Sequence, residues 1–264
     1  MQFGMPTLIE IKELEICAAL CNELGLDFVE LNMNLPEYQT DKLDITRLGT
    51  IADEYNIYFT IHLDENLSPC DFNDKVAAAY TETVLQTIET AKKLSIPILN
   101  MHLHSGVWFT LPDRKVFLFN EYESEYMRKL TIFRDACTKA IGNADIKICV
   151  ENTSAFQQTF AEKSISALLD SSAFALTFDI GHDAVSGFQQ QPLIYQRIER
   201  LRHMHIHDAK TNEKQDHLTL GEGKLDLAKY FDLVKAYDCR AVLEVKTING
   251  LQGSIEWLKE RAYL

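Results

Sequence analysis

The sequence predicts one (β/α)8 barrel, a TIM-barrel domain over residues 1–264, with its working end at the C-terminal tips of the strands. Three observations lead there. Eight short apolar runs alternate with eight longer helical patterns from end to end. No linker, low-complexity stretch or shift in composition divides the chain, and 264 residues is the size of one such barrel. Within the runs, one parity of residues is apolar throughout, while the other turns polar toward the C-terminal end.

Strands are expected near 2–5, 28–33, 58–63, 97–103, 146–151, 174–180, 202–207 and 240–246, and helices near 9–24, 44–56, 73–94, 121–142, 161–170, 189–200, 226–237 and 252–262. The first run is short. The second alternates Val29, Leu31 and Met33 with Glu30 and Asn32, and the third alternates Ile61 and Leu63 with His62. The fourth sets Leu99, Met101 and Leu103 against Asn100 and His102, with His104 next in phase. The fifth sets Ile146, Ile148 and Val150 against Glu151, and the sixth sets Leu176, Phe178 and Ile180 against Thr177 and Asp179. The seventh sets Met204 and Ile206 against His203, His205 and His207, and the last sets Ala241, Leu243 and Val245 against Glu244 and Lys246. Among the helices, Val76, Tyr80, Val84 and Ile88 show the four-residue step of a buried stripe. The charges Glu162, Lys163, Arg197 and Arg200 read as solvated helix faces.

Composition excludes several classes. With 46% hydrophobic and 25% charged residues the chain is neither disordered nor a disulfide miniprotein. It carries 39 acidic and 26 basic side chains, a formal charge of −13, so long-range attraction to a phosphate backbone is disfavoured. No run of 18 apolar residues suggests a membrane span, and the N-terminus does not read as a signal peptide. The six cysteines are scattered without a CxxC pair and are expected as reduced thiols in a cytoplasmic protein.

The inward parity carries the chemistry. A barrel built for stability alone fills its interior with branched apolar side chains. Here seven of eight strands end in an inward histidine or carboxylate, which is costly to bury unless something pairs the charges. Imidazole nitrogens and carboxylate oxygens converging from several strands suit a divalent cation such as Zn2+ or Mn2+. Glu151, Asp179, His205 and Glu244 are expected to form one site. His62, His102, His182 and His217 lie on neighbouring strand ends or the loops after them, available for further ligation or for substrate. The D-I-G-H run of Asp179–His182 is expected to bring both side chains to the rim across a tight glycine turn. His203, deeper on its strand, reads as support, and Gly221–Glu222–Gly223 reads as a loop-shaping turn.

The stretches FVEL (28–31), MHLHSG (101–106), VEN (150–152), FDIGHDAVSG (178–187), HMHIHDAK (203–210), DHLTLGEGKLD (216–226) and LEVK (243–246) resemble the xylose isomerase-like TIM-barrel superfamily. That group holds sugar and sugar-phosphate isomerases and epimerases, and also endonuclease IV. Two implications follow from the resemblance. The ketose-epimerase branch implies a single metal held by Glu151, Asp179, His205 and Glu244, with the two glutamates serving as acid and base. The endonuclease IV branch implies up to three zinc ions held by nine ligands, eight of which match His62, His102, Glu151, Asp179, His182, His205, His217 and Glu244. The ninth ligand, an aspartate, falls on Gln215, and the tyrosine of that branch's DNA-penetrating loop falls on Glu65. The loop here carries Asp64, Glu65, Asp71 and Asp74, a poor partner for DNA.

The sugar reading is therefore preferred: a metal-dependent isomerase or epimerase of a small sugar or sugar phosphate, working through an enediolate with Glu151 and Glu244 exchanging the proton. A phosphodiesterase acting at abasic DNA is the alternative. His182, Lys210, Glu30 and His207 are expected to contact substrate, and Trp108 with Phe109, in the long segment after the fourth strand, to cover it.

Overall fold

A computed structural model describes residues 1–264. Eight parallel strands close into a barrel: β1 (Gln2–Pro6), β2 (Phe28–Asn32), β3 (Tyr58–His62), β4 (Ile98–His102), β5 (Lys147–Glu151), β6 (Phe174–Asp179), β7 (Leu201–Ile206) and β8 (Arg240–Leu243). Each strand pairs with its neighbours in chain order, and β8 closes on β1. The outer ring is α1 (Leu14–Glu23), α2 (Ile45–Tyr55), α3 (Asp74–Leu94), α4 (Glu123–Ile141), α5 (Ala161–Leu169), α6 (Gln191–Tyr195), α7 (Leu227–Ala236) and α8 (Ile248–Glu260).

Alternation produces this architecture. The outward residues of the strands, from Val29 and Leu31 to Ala241 and Leu243, join the helices' inner faces in one continuous core. The helices start where local chemistry allows. Asp44 and Asn73 accept backbone N–H bonds at the heads of α2 and α3, and Thr247 does so for α8. Helix α1 begins at Leu14 rather than near residue 9, because residues 7–13 form a turn in which Ile11 N donates to Leu8 O. Inside the barrel the lower positions are apolar: Phe28 lies over Gly4, where a Cβ would meet its ring at 2.3 Å, and Ile98, Cys149 and Ala175 form a small cluster of their own.

Two expectations are corrected here. Arg200 is not a solvated charge: its guanidinium donates to the carbonyls of Leu169 (2.6 Å), Ser171 (2.9 Å) and Phe174 (2.7 Å), tying the end of α5 to the start of β6. Arg197 likewise turns inward, to Ser166 Oγ (2.7 Å). The segment after β4 folds as a hairpin of Trp108–Thr110 with Lys115–Phe117, followed by a short helix Leu118–Glu121. All six cysteines are buried and unpaired, and no helix is long and apolar enough to cross a membrane.

Candidate metal centre at the barrel mouth

The strand register brings the expected residues together. His102 pairs with Glu151, Glu151 with Thr177, and Asp179 with His205, so adjacent inward side chains share one level of the barrel. Glu151, Asp179 and His205 are wholly buried, and Glu244 nearly so.

His205 sits at the centre. Its Nδ1 lies 2.9 Å from Glu244 Oε2, 3.5 Å from Glu151 Oε2 and 3.8 Å from Asp179 Oδ2. Its Nε2 lies 3.0 Å from Glu30 Oε1, and Glu30 Oε2 is shared by His203 Nε2 (2.9 Å) and Thr60 Oγ1 (2.8 Å). Glu30 thus takes the Nε2 proton and leaves the Nδ1 lone pair facing three carboxylates. The outer partners of the carboxylates are equally specific. Thr177 donates to Asn100 Oδ1 (2.6 Å), and Asn100 Nδ2 donates to Glu151 Oε2. Lys246 Nζ holds Glu244 Oε1 at 2.8 Å.

The other histidines ring this cluster. His102 Nε2 and His62 Nε2 lie 3.3 and 3.5 Å from Glu151 Oε2. His182 Nδ1 lies 3.2 Å from Glu151 Oε1 and 3.5 Å from Asp179 Oδ2. His217 Nε2 lies 3.8 Å from Glu244 Oε2, and its Nδ1 lies 3.0 Å from Asp216. Asp179 and His182 meet through a helix rather than a glycine turn: Asp179 caps the short helix Ile180–Val185 by accepting His182 N–H at 2.7 Å. Gly181 is required there for a different reason, since a Cβ would fall 1.9 Å from the His207 ring.

Four buried atoms at the centre lack any hydrogen-bond partner: Glu151 Oε1, His182 Nδ1, His205 Nδ1 and Glu244 Oε2. Their close approaches are not hydrogen bonds, because the groups aim at shared space rather than at one another. Two ligands about 2.1 Å from one ion at a tetrahedral angle are roughly 3.4 Å apart, and the separations around His205 and His182 bracket that value. The donor set, imidazole nitrogens with carboxylate oxygens, fits a divalent cation such as Zn2+ or Mn2+. Two other groupings of ligating atoms do not fit. His207 accepts His217 N–H at Nδ1 (2.7 Å) and donates from Nε2 to Asp179 (3.1 Å), so neither nitrogen is free. In the Glu30–His203–His205 group, both Glu30 oxygens are already occupied by donors.

Electrostatics agree that the cluster demands positive charge. Burial opposes ionisation of Glu151 and Glu244, yet His102 and His205 hold the first, and His205 and Lys246 the second, well below the usual carboxylate range. Asp179 is lowered against burial by His182 and His207. Against the same burial, Glu244 and Glu151 drive His205 well above its ordinary range.

Of the residues expected to touch substrate, His182 lines the mouth cavity, with His102 beside it. Glu30 lies beneath the cluster and His207 beside it, between Asp179 and His217, and both are buried and fully engaged. Lys210 faces Glu213 at 3.9 Å, and Lys214, on the tip of the same hairpin, lines the cavity instead. Trp108 is half-exposed and lines a separate apolar cavity with His104, Phe72 and Phe119. His104 accepts Gly106 N–H at 2.9 Å and turns away from the centre. Sequence reasoning missed Asn152 and Gln190. Asn152 Oδ1 accepts Asp179 N–H (2.7 Å), and its Nδ2 donates to Asp179 O (2.8 Å) and Gln190 Oε1 (2.7 Å). The VEN run already placed an amide beside a ligand, which was the available signal. Asp208 organises the loop after β7, accepting N–H bonds from Ala209, Gly221 and Leu225. Gly223 leaves room for that carboxylate, which a Cβ would meet at 2.1 Å.

Comparison with solved structures places the fold. A D-tagatose 3-epimerase-like protein superimposes with a TM-score of 0.78 at 23% identity, covering 100% of this chain and 97% of that one. A 3-keto-D-glucoside 4-epimerase from E. coli gives 0.77 at 13% identity over 100% of both chains. A D-psicose 3-epimerase from Clostridium cellulolyticum H10 gives 0.75 at 13% identity, covering 100% and 99%. No curated protein matches the chain in sequence. The family model of the xylose isomerase-like TIM barrel matches residues 18–261, and the chain belongs to that family.

Proposed function

We propose that the protein is a divalent-metal-dependent isomerase or epimerase of a small sugar. One observation carries the reading: Glu151 Oε1 and Glu244 Oε2, two buried carboxylate oxygens without hydrogen-bond partners, face the imidazole nitrogens of His182 (Nδ1, 3.2 Å) and His205 (Nδ1, 2.9 Å), next to a polar cavity that His102 and His182 line. The epimerase names of the structural neighbours are consistent with it.

Glu151, Asp179, His205 and Glu244 would hold the metal, as Mn2+ or Zn2+. When bound, such an ion supplies Lewis acidity toward a carbonyl oxygen and acidifies the adjacent C–H. The chain does the rest. Glu151 Oε1, ionised, takes the proton from the C–H, and Glu244 Oε2, protonated from solvent before the step, delivers its own proton. Glu151 then releases its proton to solvent, and the two carboxylates exchange roles in the reverse direction. Asn100 and Thr177 fix the Glu151 plane, and Lys246 occupies Glu244 Oε1 so that Oε2 is the reactive oxygen. His182 and His102, on the cavity wall, orient substrate hydroxyls.

Phosphodiester cleavage of DNA remains the second reading, because His62, His102 and His217 around the two glutamates leave donors for more than one ion. The acidic segment 64–74 and a cavity with one lysine oppose it. Metal-restored protein incubated with ketoses in D2O tests the choice. Solvent deuterium is expected in a sugar C–H position, and Glu151→Gln and Glu244→Gln each reduce the incorporation by about 10²–10⁴-fold. Full incorporation in both variants contradicts the proton-transfer pair.

A further inference from the structure

The cavity above the cluster is larger and differently lined than proton transfer on one sugar ring requires. It measures about 580 Å³ and runs from His102 and His182 outward between the loop after β5 and the segment Val185–Gln190. At ~30 Å³ of liquid per water, that is room for roughly twenty waters, and a single sugar ring displaces well under half of it. None of Glu151, Asp179, His205 and Glu244 lines it: His102 and His182, 3.3 and 3.2 Å from Glu151, stand between the cluster and this space, which is therefore additional to what a sugar unit at the cluster occupies.

The outer wall is polar and nearly uncharged: Thr153, Ser154, Gln157, Ser186, Gln189 and Gln190, with Lys214 the single charge outside the two histidines. It has neither a cluster of cations nor a glycine-rich anion cradle for phosphate. Hydroxyl and amide side chains, each both donor and acceptor, match the hydroxyls of a neutral carbohydrate.

Gln190 is the fixed point of this wall. It is 3% exposed, and its backbone N–H donates to Asp183 Oδ1 at 3.0 Å. The orientation of its amide follows from the backbone. Asn152 Oδ1 must be an acceptor because it faces Asp179 N–H, so Asn152 Nδ2 is the donor and Gln190 Oε1 the acceptor. The Gln190 NH2 is thereby left to serve the cavity. A buried donor aimed at a ligand hydroxyl discriminates strongly, since a ligand without that hydroxyl leaves it unpaired.

Resting on the sugar reading above, we propose that the substrate is a glycoside: a reacting ketose unit at the carboxylate–imidazole cluster, carrying a second neutral sugar unit in the outer groove, with Gln190 Nε2 as the donor that recognises it. The Gln190 amide is a specificity determinant rather than a catalytic residue.

The test compares fructose with isomaltulose, a reducing ketose bearing a glucosyl unit, in solvent-deuterium incorporation by the metal-restored protein. The ratio of kcat/KM, isomaltulose over fructose, is expected to be about 10 or more, and to fall roughly 5- to 10-fold in Gln190→Ala. Gln190→Glu, which keeps the acceptor toward Asn152 and loses the NH2, lowers the ratio likewise and controls for collapse of the loop. A ratio near one, or a ratio unmoved in both variants, overturns the glycoside assignment and leaves the epimerase reading standing. If neither ketose exchanges, saturation-transfer NMR with isomaltulose decides the groove separately. Transfer to the glucosyl protons that Gln190→Ala removes sustains the glycoside groove while the epimerase reading falls, and absence of transfer overturns the groove as well.

Discussion

The lower and upper halves of the barrel interior are built from the same strands and do opposite things. Below, Ile98, Cys149 and Ala175 pack as a dry plug. Two to four residues further along those strands, Asn100, His102, Glu151, Thr177 and Asp179 join His182, His205 and Glu244 in a network in which four polar atoms, one each on Glu151, His182, His205 and Glu244, have no hydrogen-bond partner. The alternation of the strand is unchanged between the two levels, so geometry does not separate them; side-chain chemistry does. The floor contributes stability, whereas the mouth forgoes it for a concentration of lone pairs that only protons or a cation can satisfy.

The largest effect expected from breaking this division lies in the floor. Ile98→Ala removes a buried side chain that has little room to collapse and costs about 2–5 kcal/mol in denaturant unfolding. Metal affinity of the surviving fold is expected to change little, and a large loss of affinity with intact stability would dissolve the distinction between the halves.

Glu30→Gln probes the boundary from the other side. Glu30 lies under the mouth and holds His205 Nε2 and His203 Nε2. Losing the carboxylate frees the tautomer of His205 and is expected to weaken metal binding about 10–100-fold by calorimetry. Unchanged affinity would mean that His205 needs no support.

The smallest and most diffuse effect is on pH dependence in metal-stripped protein. Burial opposes the charge on His62, His182 and His217, yet Glu151, Asp179 and Asp216 respectively push them up to about 9, 10 and 9 from 6.5. Because the folded values lie above the ordinary one, charged imidazoles stabilise the fold fully below about pH 6.5. That contribution is lost as pH rises through the 9–10 range. The denaturation midpoint of stripped protein therefore falls between pH 7 and 10, and added metal flattens the fall by replacing protons on the same lone pairs. A midpoint that rises over this interval contradicts the pairing.

The sequence carried the barrel and the central cluster because both rest on a period of two. Once Val150 faces a helix, Glu151 must face the axis, and the same holds for Asp179 after Phe178 and Glu244 after Leu243. What lay beyond that period was not legible. Asp179 was expected to reach His182 by a turn, and it caps a six-residue helix instead, because its side chain competes for the first free N–H. Lys210 rather than Lys214 was expected at the cavity, because hairpin curvature is set by backbone bonds of the 208–218 segment and not by spacing along the chain. Gln190 owes its role to Asn152, 38 residues earlier, a pairing that no local pattern encodes.

Titration of stripped protein with Mn2+ or Zn2+, followed by anomalous diffraction from the loaded crystals, bears most directly on the mouth. We expect saturable binding of at least one ion per chain, with density between Glu151, Asp179, His205 and Glu244, and proton release on binding. A protein that takes up no ion, or takes it only away from those four side chains, would contradict the account.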